Sequence, residues 1–201
     1  QALPGPVDMA AIVAVLQKLL PADAAITNGA GNFASWMTRF FRYPGLARGV
    51  KTQLAPTSGA MGYGVPAGIA CAITTGRTVL TMAGDGDFLM NGQELATARH
   101  YGAKPIIVLL NNGVYGTIRM HQVREFPQRP SGTALANPDF VQLAQSHGFA
   151  GARVERTEQF EPALREALAR AEGTLIEVVL SEQVITTRTT LDAIEKAAEA
   201  R

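Results

Sequence analysis

The sequence predicts an α/β fold of three layers, in which helices cover both faces of a doubly wound, mainly parallel sheet. Short apolar runs of strand length alternate with stretches of helical periodicity along most of the chain. The unbroken apolar run 106–110 indicates a strand buried on both faces, as strands of parallel sheets are. Residues 79–112 follow the order strand, glycine turn, helix-compatible stretch, strand, which is the pattern of a βαβ unit.

The N-terminal part supplies the first elements. Residues 1–6 contain two prolines and a glycine and are linker-like, and apolar residues at helical spacing predict a helix over 7–20. Residues 24–27 predict a short strand. The polar, glycine-rich turn 28–32 then leads into a second helix through Trp36.

The middle of the chain carries the central unit. Small residues surround Met61, which predicts a tight turn and close approach of the next helix, 64–75, even in a protein that binds no ligand. The predicted strand 79–83 is followed directly by a glycine turn. The helix-compatible stretch that follows extends to about His100.

The C-terminal part completes the alternation. Asn137 with Pro138 is a helix-start signal after a proline-containing loop, because asparagine caps helices and proline is tolerated in their first turn. The remaining elements are a helix, a strand, a helix and a strand, at 139–147, 150–154, 158–171 and 174–180. We expect one domain over 7–181 and a tail, 182–201, whose final helix orders against another chain.

Composition narrows the class of partner. The 201 residues can bury a full core, and 47% hydrophobic with 17% charged residues describe a rather apolar domain whose surface a partner partly covers. Eighteen basic and 17 acidic residues give a net charge of +1 without long runs of either sign. We therefore expect protein and small-molecule partners, with no nucleic acid and no membrane.

The single cysteine and the absence of targeting segments bear on where in the cell the protein is found. Cys71 lies in an apolar stretch, so we expect a buried, unreactive thiol, and one cysteine excludes an internal disulfide. There is no apolar run of membrane-spanning length and no signal-peptide pattern. These features favour a cytoplasmic protein.

Two polar residues follow the strands of the central unit. Asp85 and Asn112 are 27 positions apart, and a right-handed crossover brings both to the carboxyl ends of parallel strands, where they face one site. A carboxylate and an amide oxygen suit a hard cation such as Mg²⁺. Gly84 and Gly86 allow close approach of an anion, and a helix N-terminus favours it. The predicted ligand is a metal-bound diphosphate.

The motif that these residues form, GDG at 84–86 followed about 27 residues later by Asn111 and Asn112, resembles the diphosphate-binding motif of thiamine-diphosphate-dependent enzymes. The flanking residues are most similar to the group of acetolactate synthase, pyruvate oxidase and benzoylformate decarboxylase. Some phosphatases also carry a GDG turn, but they need a further acid where this chain has Phe88 and Leu89. The resemblance implies the thiamine-diphosphate-binding fold, with thiamine diphosphate and Mg²⁺ as cofactors.

The resemblance also implies roles for individual residues. Asp85 and the side chain of Asn112 would bind the metal, together with the backbone carbonyl of Val114. The diphosphate would be bordered by Gly84, Asp85, Gly86, Asp87, Tyr115 and Gly116. The loop around Met61 would grip the aminopyrimidine, with a carbonyl from Gly59, the neighbouring Ala60, and the amide and thioether of Met61.

Two positions depart from the family pattern. A second loop would contact the diphosphate through Gly31 and Asn32, and here Phe33 stands where a histidine is usual; the alternative for Asn32 is a helix N-cap. His121 stands where acetolactate synthases commonly have a tryptophan in the acceptor pocket. His121 could orient or protonate a substrate oxygen, or it could be a structural histidine.

The activity implied by the resemblance is decarboxylation or carboligation of a small 2-oxo acid, with the cofactor as electron sink. The catalytic glutamate is expected on a pyrimidine-binding domain, in the same longer chain or in a second subunit, and a homo-oligomer is expected. A decarboxylase or an oxidase is the alternative, and the sequence is silent on FAD. A non-catalytic thiamine-diphosphate-binding module is a further alternative.

Overall fold

The computed structural model of the chain describes residues 4–200, apart from the side chain of Leu46. Over this range the strands are β1 Ala25–Asn28, β2 Gln53–Leu54, β3 Val79–Gly84, β4 Ile106–Asn111, β5 Ala150–Val154 and β6 Thr174–Val179. Every pair of neighbours in the order β2-β1-β3-β4-β6-β5 is parallel. The described sheet is thus wholly parallel, as the buried apolar run of β4 requires.

Helices flank this sheet on both sides. The α-helices of the described range are α1 Met9–Leu19, α2 Ala34–Phe40, α3 Gly64–Thr75, α4 Asp85–Asn91, α5 Leu95–Tyr101, α6 Gly116–Glu125, α7 Phe140–Ser146, α8 Phe160–Ala169 and α9 Leu191–Glu199. Short 3₁₀ helices lie at 46–48, 92–94 and 157–159. Among residues 4–200, none of these helices has both the length and the apolarity needed to cross a membrane.

Two hydrophobic cores, one on each face of the sheet, make the three layers. On one face α1, α2 and α8 pack on alternate strand residues that include Leu80, Met82 and Val108. On the other face α3, α4, α5 and α7 pack on residues that include Ala83 and Ile107. Because successive strand residues point to opposite faces, both faces of β3 and β4 are apolar. The predicted fold class is confirmed.

The strand order also locates a crevice. From β1 the chain passes to β2 at the edge of the sheet and then returns to β3, on the opposite side of β1. The loops that leave β1 and β3 therefore diverge to opposite sides of the sheet. Ligands of doubly wound folds bind outside the carboxyl ends of the strands at such a point.

The helix after β3 is interrupted, although the sequence predicted a helix-compatible stretch to about His100. α4 ends at Asn91, whose backbone leaves the helical region (φ −140°, ψ 22°), and a 3₁₀ turn precedes α5. The interruption turns Phe88 of α4 and both Leu95 and Ala98 of α5 into the same core. Core packing therefore prevails over helix continuity here.

Two further expectations are corrected. α7 begins at Phe140 and is capped by Asp139, whose Oδ1 accepts from the Gln142 N–H at 2.9 Å, so Asn137 is not the cap. Cys71 is partly exposed on α3 rather than buried.

The described part of the tail also differs from expectation, because it is ordered against its own chain. Ile185 and Leu191 pack on Val123 of α6, and α9 lies along that helix. The linker is described from Pro4, whereas its residues 1–3, and Arg201 at the end of the tail, lie outside the described residues.

Tyr43→Phe is expected to leave stability unchanged or to raise it by up to about 1 kcal/mol. The Tyr43 hydroxyl is buried without a hydrogen-bond partner among the described residues, and burial raises the pKa of Tyr43 to about 12. Removing an unsatisfied buried polar group removes its desolvation cost. Urea unfolding of the variant measures the change, with the exposed Tyr101→Phe as the control. A clear loss of stability would mean that the hydroxyl is bonded in solution.

Candidate functional site

A cavity of about 280 Å³ opens at the carboxyl ends of the strands. Its walls come from the turn after β1, the loop before α3, the turn after β3, the segment after β4 and the segment after β6. These segments are far apart in sequence, and the parallel sheet brings them to one edge because all of its strands end there.

The structure brings most of the predicted site residues together. Twelve of them line this cavity, namely Gly31, Asn32, Gly59, Met61, Gly84, Asp85, Gly86, Asp87, Asn112, Val114, Tyr115 and Gly116. Two others do not. Ala60 is exposed on the loop between its lining neighbours, and His121 is exposed on α6, one turn beyond the lining residue Thr117, where its Nδ1 contacts the Arg124 guanidinium.

Asp85 is almost fully buried, with 3% of its surface exposed. Its Oδ2 accepts two hydrogen bonds of 2.8 Å, from the Gly113 N–H and from Asn137 Nδ2, whereas its Oδ1 accepts one of 3.0 Å from the Gly86 N–H. Burial raises the pKa of Asp85, and these hydrogen bonds oppose the rise. Because each carboxylate oxygen can accept about two bonds, Oδ1 keeps an open position.

Oxygen donors of other types lie beside this carboxylate along the cavity wall. Asn112 Oδ1 receives only a long bond of 3.4 Å from the Val114 N–H. Val114 itself is held by an antiparallel bridge to Ala134. Residues 4–200 contain no cluster of three His, Cys, Asp or Glu side chains. The residues that line this part of the cavity thus carry a carboxylate, an amide oxygen and a backbone carbonyl oxygen, and oxygen donors of these types would fit a hard cation such as Mg²⁺ rather than a softer metal.

The turn around Gly86 leaves no room for a side chain. A Cβ on Gly86 would lie 2.5 Å from the Tyr115 ring, and a Cβ on Gly84 would lie 2.8 Å from the Phe33 ring. Both aromatic rings line the cavity. Phe33, which stands where the family usually has a histidine, thus packs on the glycine turn and makes an apolar contact there.

Asp87 ties three wall segments together. Its Oδ1 accepts from the Ala30 N–H at 3.1 Å and from the Gly62 N–H at 2.8 Å. Its Oδ2 is buried without a partner among the described residues. Burial raises the pKa of Asp87 to about 6, and the two hydrogen bonds oppose that rise. Asp87 therefore holds the turn after β1 and the loop of Met61 against α4.

Asn32 faces the cavity and does not act as a side-chain cap of α2. Its backbone N–H donates to Thr117 Oγ1 at 3.0 Å, and its Nδ2 lies 3.4 Å from Met120 Sδ. Its carbonyl oxygen accepts from the N–H of Ser35, at 3.0 Å, in the first turn of the helix. The N-cap alternative is thus not supported, and the turn after β1 is tied to α6.

An apolar wall, which the sequence did not predict, closes one side of the cavity. It includes Trp36, stacked on Phe40 at 5.8 Å between ring centroids, and Val184 and Ile185 of the tail. A Cβ on Gly116 would lie 2.6 Å from Ile185 Cδ1, so the tail contacts the start of α6 directly. Val184 and Ile185 lie in the tail, beyond the last segment with regular alternation of apolar and polar residues. Periodicity therefore could not predict that they line the cavity.

Asn137 contacts Asp85, although the sequence predicted a role for it at the start of a helix. Besides its bond to Asp85, its Nδ2 donates to Asn111 Oδ1 at 2.9 Å. Its Oδ1 is buried without a partner among the described residues. The only available signal was an asparagine at the end of a proline-containing loop, which is equally typical of a helix cap.

The fold and the site define an α/β cofactor-binding domain whose glycine turn and oxygen donors meet at the strand ends. Residues 29–178 match the family described as "Thiamine pyrophosphate enzyme, C-terminal TPP binding domain". The chain belongs to this family, and the resemblance inferred from the GDG and Asn111–Asn112 motif is confirmed.

Individual relatives include acetolactate synthases. The chain is 33% identical over 162 residues to "Acetolactate synthase, mitochondrial" of Schizosaccharomyces pombe. The aligned residues make up 79% of this chain and 23% of that protein. The chain is 34% identical over 164 residues to "Acetolactate synthase isozyme 2 large subunit" of Escherichia coli, covering 81% and 29%. A "Probable acetolactate synthase large subunit" of Methanocaldococcus jannaschii is 34% identical over 161 residues, covering 79% and 27%. The chain thus spans under a third of the length of these relatives.

Proposed function

We propose that this chain forms the diphosphate- and Mg²⁺-binding half of the active site of a thiamine-diphosphate-dependent enzyme that decarboxylates or condenses 2-oxo acids, as acetolactate synthases do. One observation supports the proposal: Asp85, Asn112 and Val114 line the same cavity, beside a turn that has no side chains at Gly84 and Gly86. These three residues carry a carboxylate, an amide oxygen and a backbone carbonyl oxygen, which are three types of oxygen donor. The relatedness to acetolactate synthases supports the reaction class.

The residues would share the work of binding. Asp85 Oδ1, Asn112 Oδ1 and the Val114 carbonyl would hold Mg²⁺, whose charge would favour binding of the diphosphate. Gly59, Ala60 and Met61 would border the aminopyrimidine, and the bulky thioether of Met61 would support the cofactor there. When bound, the cofactor supplies the carbon nucleophile and the electron sink for decarboxylation.

The apolar wall would exclude water from the reacting carbon. Val184 and Ile185 are aliphatic and offer no hydrogen bonds to solvent on that side of the cavity, and Trp36 adds a large aromatic ring. A dry site strengthens electrostatic interactions and prevents side reactions with water. His121 lies on the exposed continuation of α6, so a substrate role for it would be played at the rim rather than in the cavity.

A pyrimidine-binding domain would complete the site. The carboxylates among the described lining residues are Asp85 and Asp87, and both are engaged by backbone amides of the surrounding turns. We propose that the glutamate that activates the aminopyrimidine in this family is supplied by that pyrimidine-binding domain. Exposed apolar side chains near this edge, Leu54, Leu89 and Met90, support a covering partner, and we propose a homo-oligomer.

Product analysis of the intact protein tests the proposal. The protein is incubated with pyruvate and a panel of 2-oxo acids, with and without thiamine diphosphate and Mg²⁺. We expect cofactor-dependent consumption, with a condensation product for a carboligase and a free aldehyde for a decarboxylase; dependence on added flavin would indicate an oxidase. Tight cofactor binding without turnover of any 2-oxo acid would contradict the proposed activity and favour a non-catalytic binding module.

A further inference from the structure

A network of buried and partly buried polar side chains leads away from Asp85. Asn137 Nδ2 donates to Asp85 Oδ2 at 2.8 Å and to Asn111 Oδ1 at 2.9 Å. Asn111 Nδ2 in turn donates to Glu177 Oε1 at 2.8 Å. Glu177, on β6, is only 3% exposed, which is unusual for a glutamate and costly unless its oxygens are bonded.

From Glu177 the network leads back to the segment that contains Asn137. Glu177 Oε2 accepts from Arg153 Nε at 2.8 Å, and Arg153 Nη2 lies 3.0 Å from Asp139 Oδ1. Asp139 caps α7 and is two residues from Asn137. The segment 137–139 is therefore held at both ends, by Asn111 and by Arg153, against the ends of β4, β5 and β6.

The orientations of the two amides are fixed by their surroundings. Asp85 and Glu177 lie at opposite ends of the pair, and an ionised carboxylate can only accept hydrogen bonds. Asn137 must therefore point its NH₂ group at Asp85, and Asn111 must point its NH₂ group at Glu177. Asn111 then offers its oxygen to Asn137. A flip of either amide would place a donor against a donor or an oxygen against a carboxylate.

We propose that Asn137, Asn111 and Glu177 are positioning residues that hold the Asp85 carboxylate with Oδ2 occupied and Oδ1 open toward a divalent cation. The proposal rests on the proposed function, because the cation is the Mg²⁺ of the diphosphate site. Partners that orient a metal-binding carboxylate affect metal affinity without touching the metal. Glu177 does not contact Asp85. Its charge would orient the Asn111 amide, which in turn orients the Asn137 amide that donates to Asp85.

Binding of Mn²⁺, followed by electron paramagnetic resonance in the presence of thiamine diphosphate, tests the proposal on the intact protein. Asn137→Ala is expected to weaken Mn²⁺ binding by about tenfold or more. Glu177→Gln keeps the shape of the side chain but removes its charge, and we expect a smaller loss. The matched control is Gln122→Ala, because Gln122 ties the same loop to α6 through Ser131 and Thr133 but does not contact Asp85.

The outcomes separate this proposal from the proposed function. If the unmodified protein binds no Mn²⁺ with thiamine diphosphate, the proposed function itself fails. If it binds Mn²⁺ and Asn137→Ala binds equally well, positioning by Asn137 is wrong. An equal loss in Gln122→Ala would reduce the effect to loop anchoring and overturn the proposal, and an unchanged affinity in Glu177→Gln would overturn the role of Glu177.

Folding of the variants is checked separately, by thermal unfolding in EDTA. Loss of a metal-positioning contact should leave the unfolding temperature of the metal-free Asn137→Ala protein close to that of Gln122→Ala. Should Asn137→Ala fail to fold, Asn137→Ser replaces it, because serine keeps a polar group but is too short to bond both Asp85 and Asn111. Unchanged Mn²⁺ binding in that variant would equally overturn the proposal.

Discussion

Asp85→Ala is expected to abolish Mg²⁺-dependent binding of thiamine diphosphate. Asp85 is the only charged side chain among the three proposed metal ligands, and its loss leaves an amide and a carbonyl to hold a cation beside a diphosphate. Removing one partner of a buried charge pair costs about 2–5 kcal/mol, which corresponds to a large loss of affinity. Calorimetric titration with thiamine diphosphate, with and without Mg²⁺, measures the effect.

A control is needed because Asp85 also accepts three hydrogen bonds that stabilise the turn after β3. Asp23→Ala removes an exposed carboxylate far from the cavity and should bind the cofactor as the unmodified protein does. Circular dichroism shows whether the Asp85 variant is folded. A folded Asp85→Ala protein that binds the cofactor with unchanged affinity would remove Asp85 from the site.

Phe88→Ala is expected to destabilise the chain by about 3–5 kcal/mol, the usual cost of emptying a fully buried phenylalanine site. Phe88 is 0% exposed and meets the Phe140 ring edge-on, with 5.7 Å between centroids. Because it lies on α4 directly after the glycine turn, we also expect weaker cofactor binding. Urea unfolding gives the change in stability.

The adjacent residue provides the comparison for this prediction. Leu89 is on the same helix and is 39% exposed, so Leu89→Ala removes a large apolar side chain that is not in the core. Its cost should be below about 1 kcal/mol. If the two substitutions destabilise the chain equally, then α4 is not anchored to the sheet through Phe88.

Local pattern was sufficient for the central unit. Two apolar runs separated by a glycine turn and a helical stretch permit one right-handed crossover, so the sequence alone places Asp85 and Asn112 at the same edge of the sheet. The same reasoning gave α3 with its observed bounds, Gly64–Thr75. In both cases the residue pattern that predicts the structure lies within the predicted segment itself.

The rest of the cavity depends on contacts between segments that are distant in sequence. Asn137 reaches Asp85 only because its loop pairs with the residues after β4, through the bridge between Val114 and Ala134. Ile185 joins the wall because the tail folds back onto α6. Neither segment has a periodicity that specifies its path. The sequence therefore indicated a helix start at Asn137 and, for the tail that contains Ile185, order against another chain.

The position of Trp36 has a practical consequence. It is the sole tryptophan of the chain, it is nearly buried, and it forms part of the cavity wall. Indole emission responds to changes in local polarity and to nearby aromatic rings. The chain therefore carries an intrinsic optical reporter at its own binding cavity, and occupancy can be followed by fluorescence without any added label.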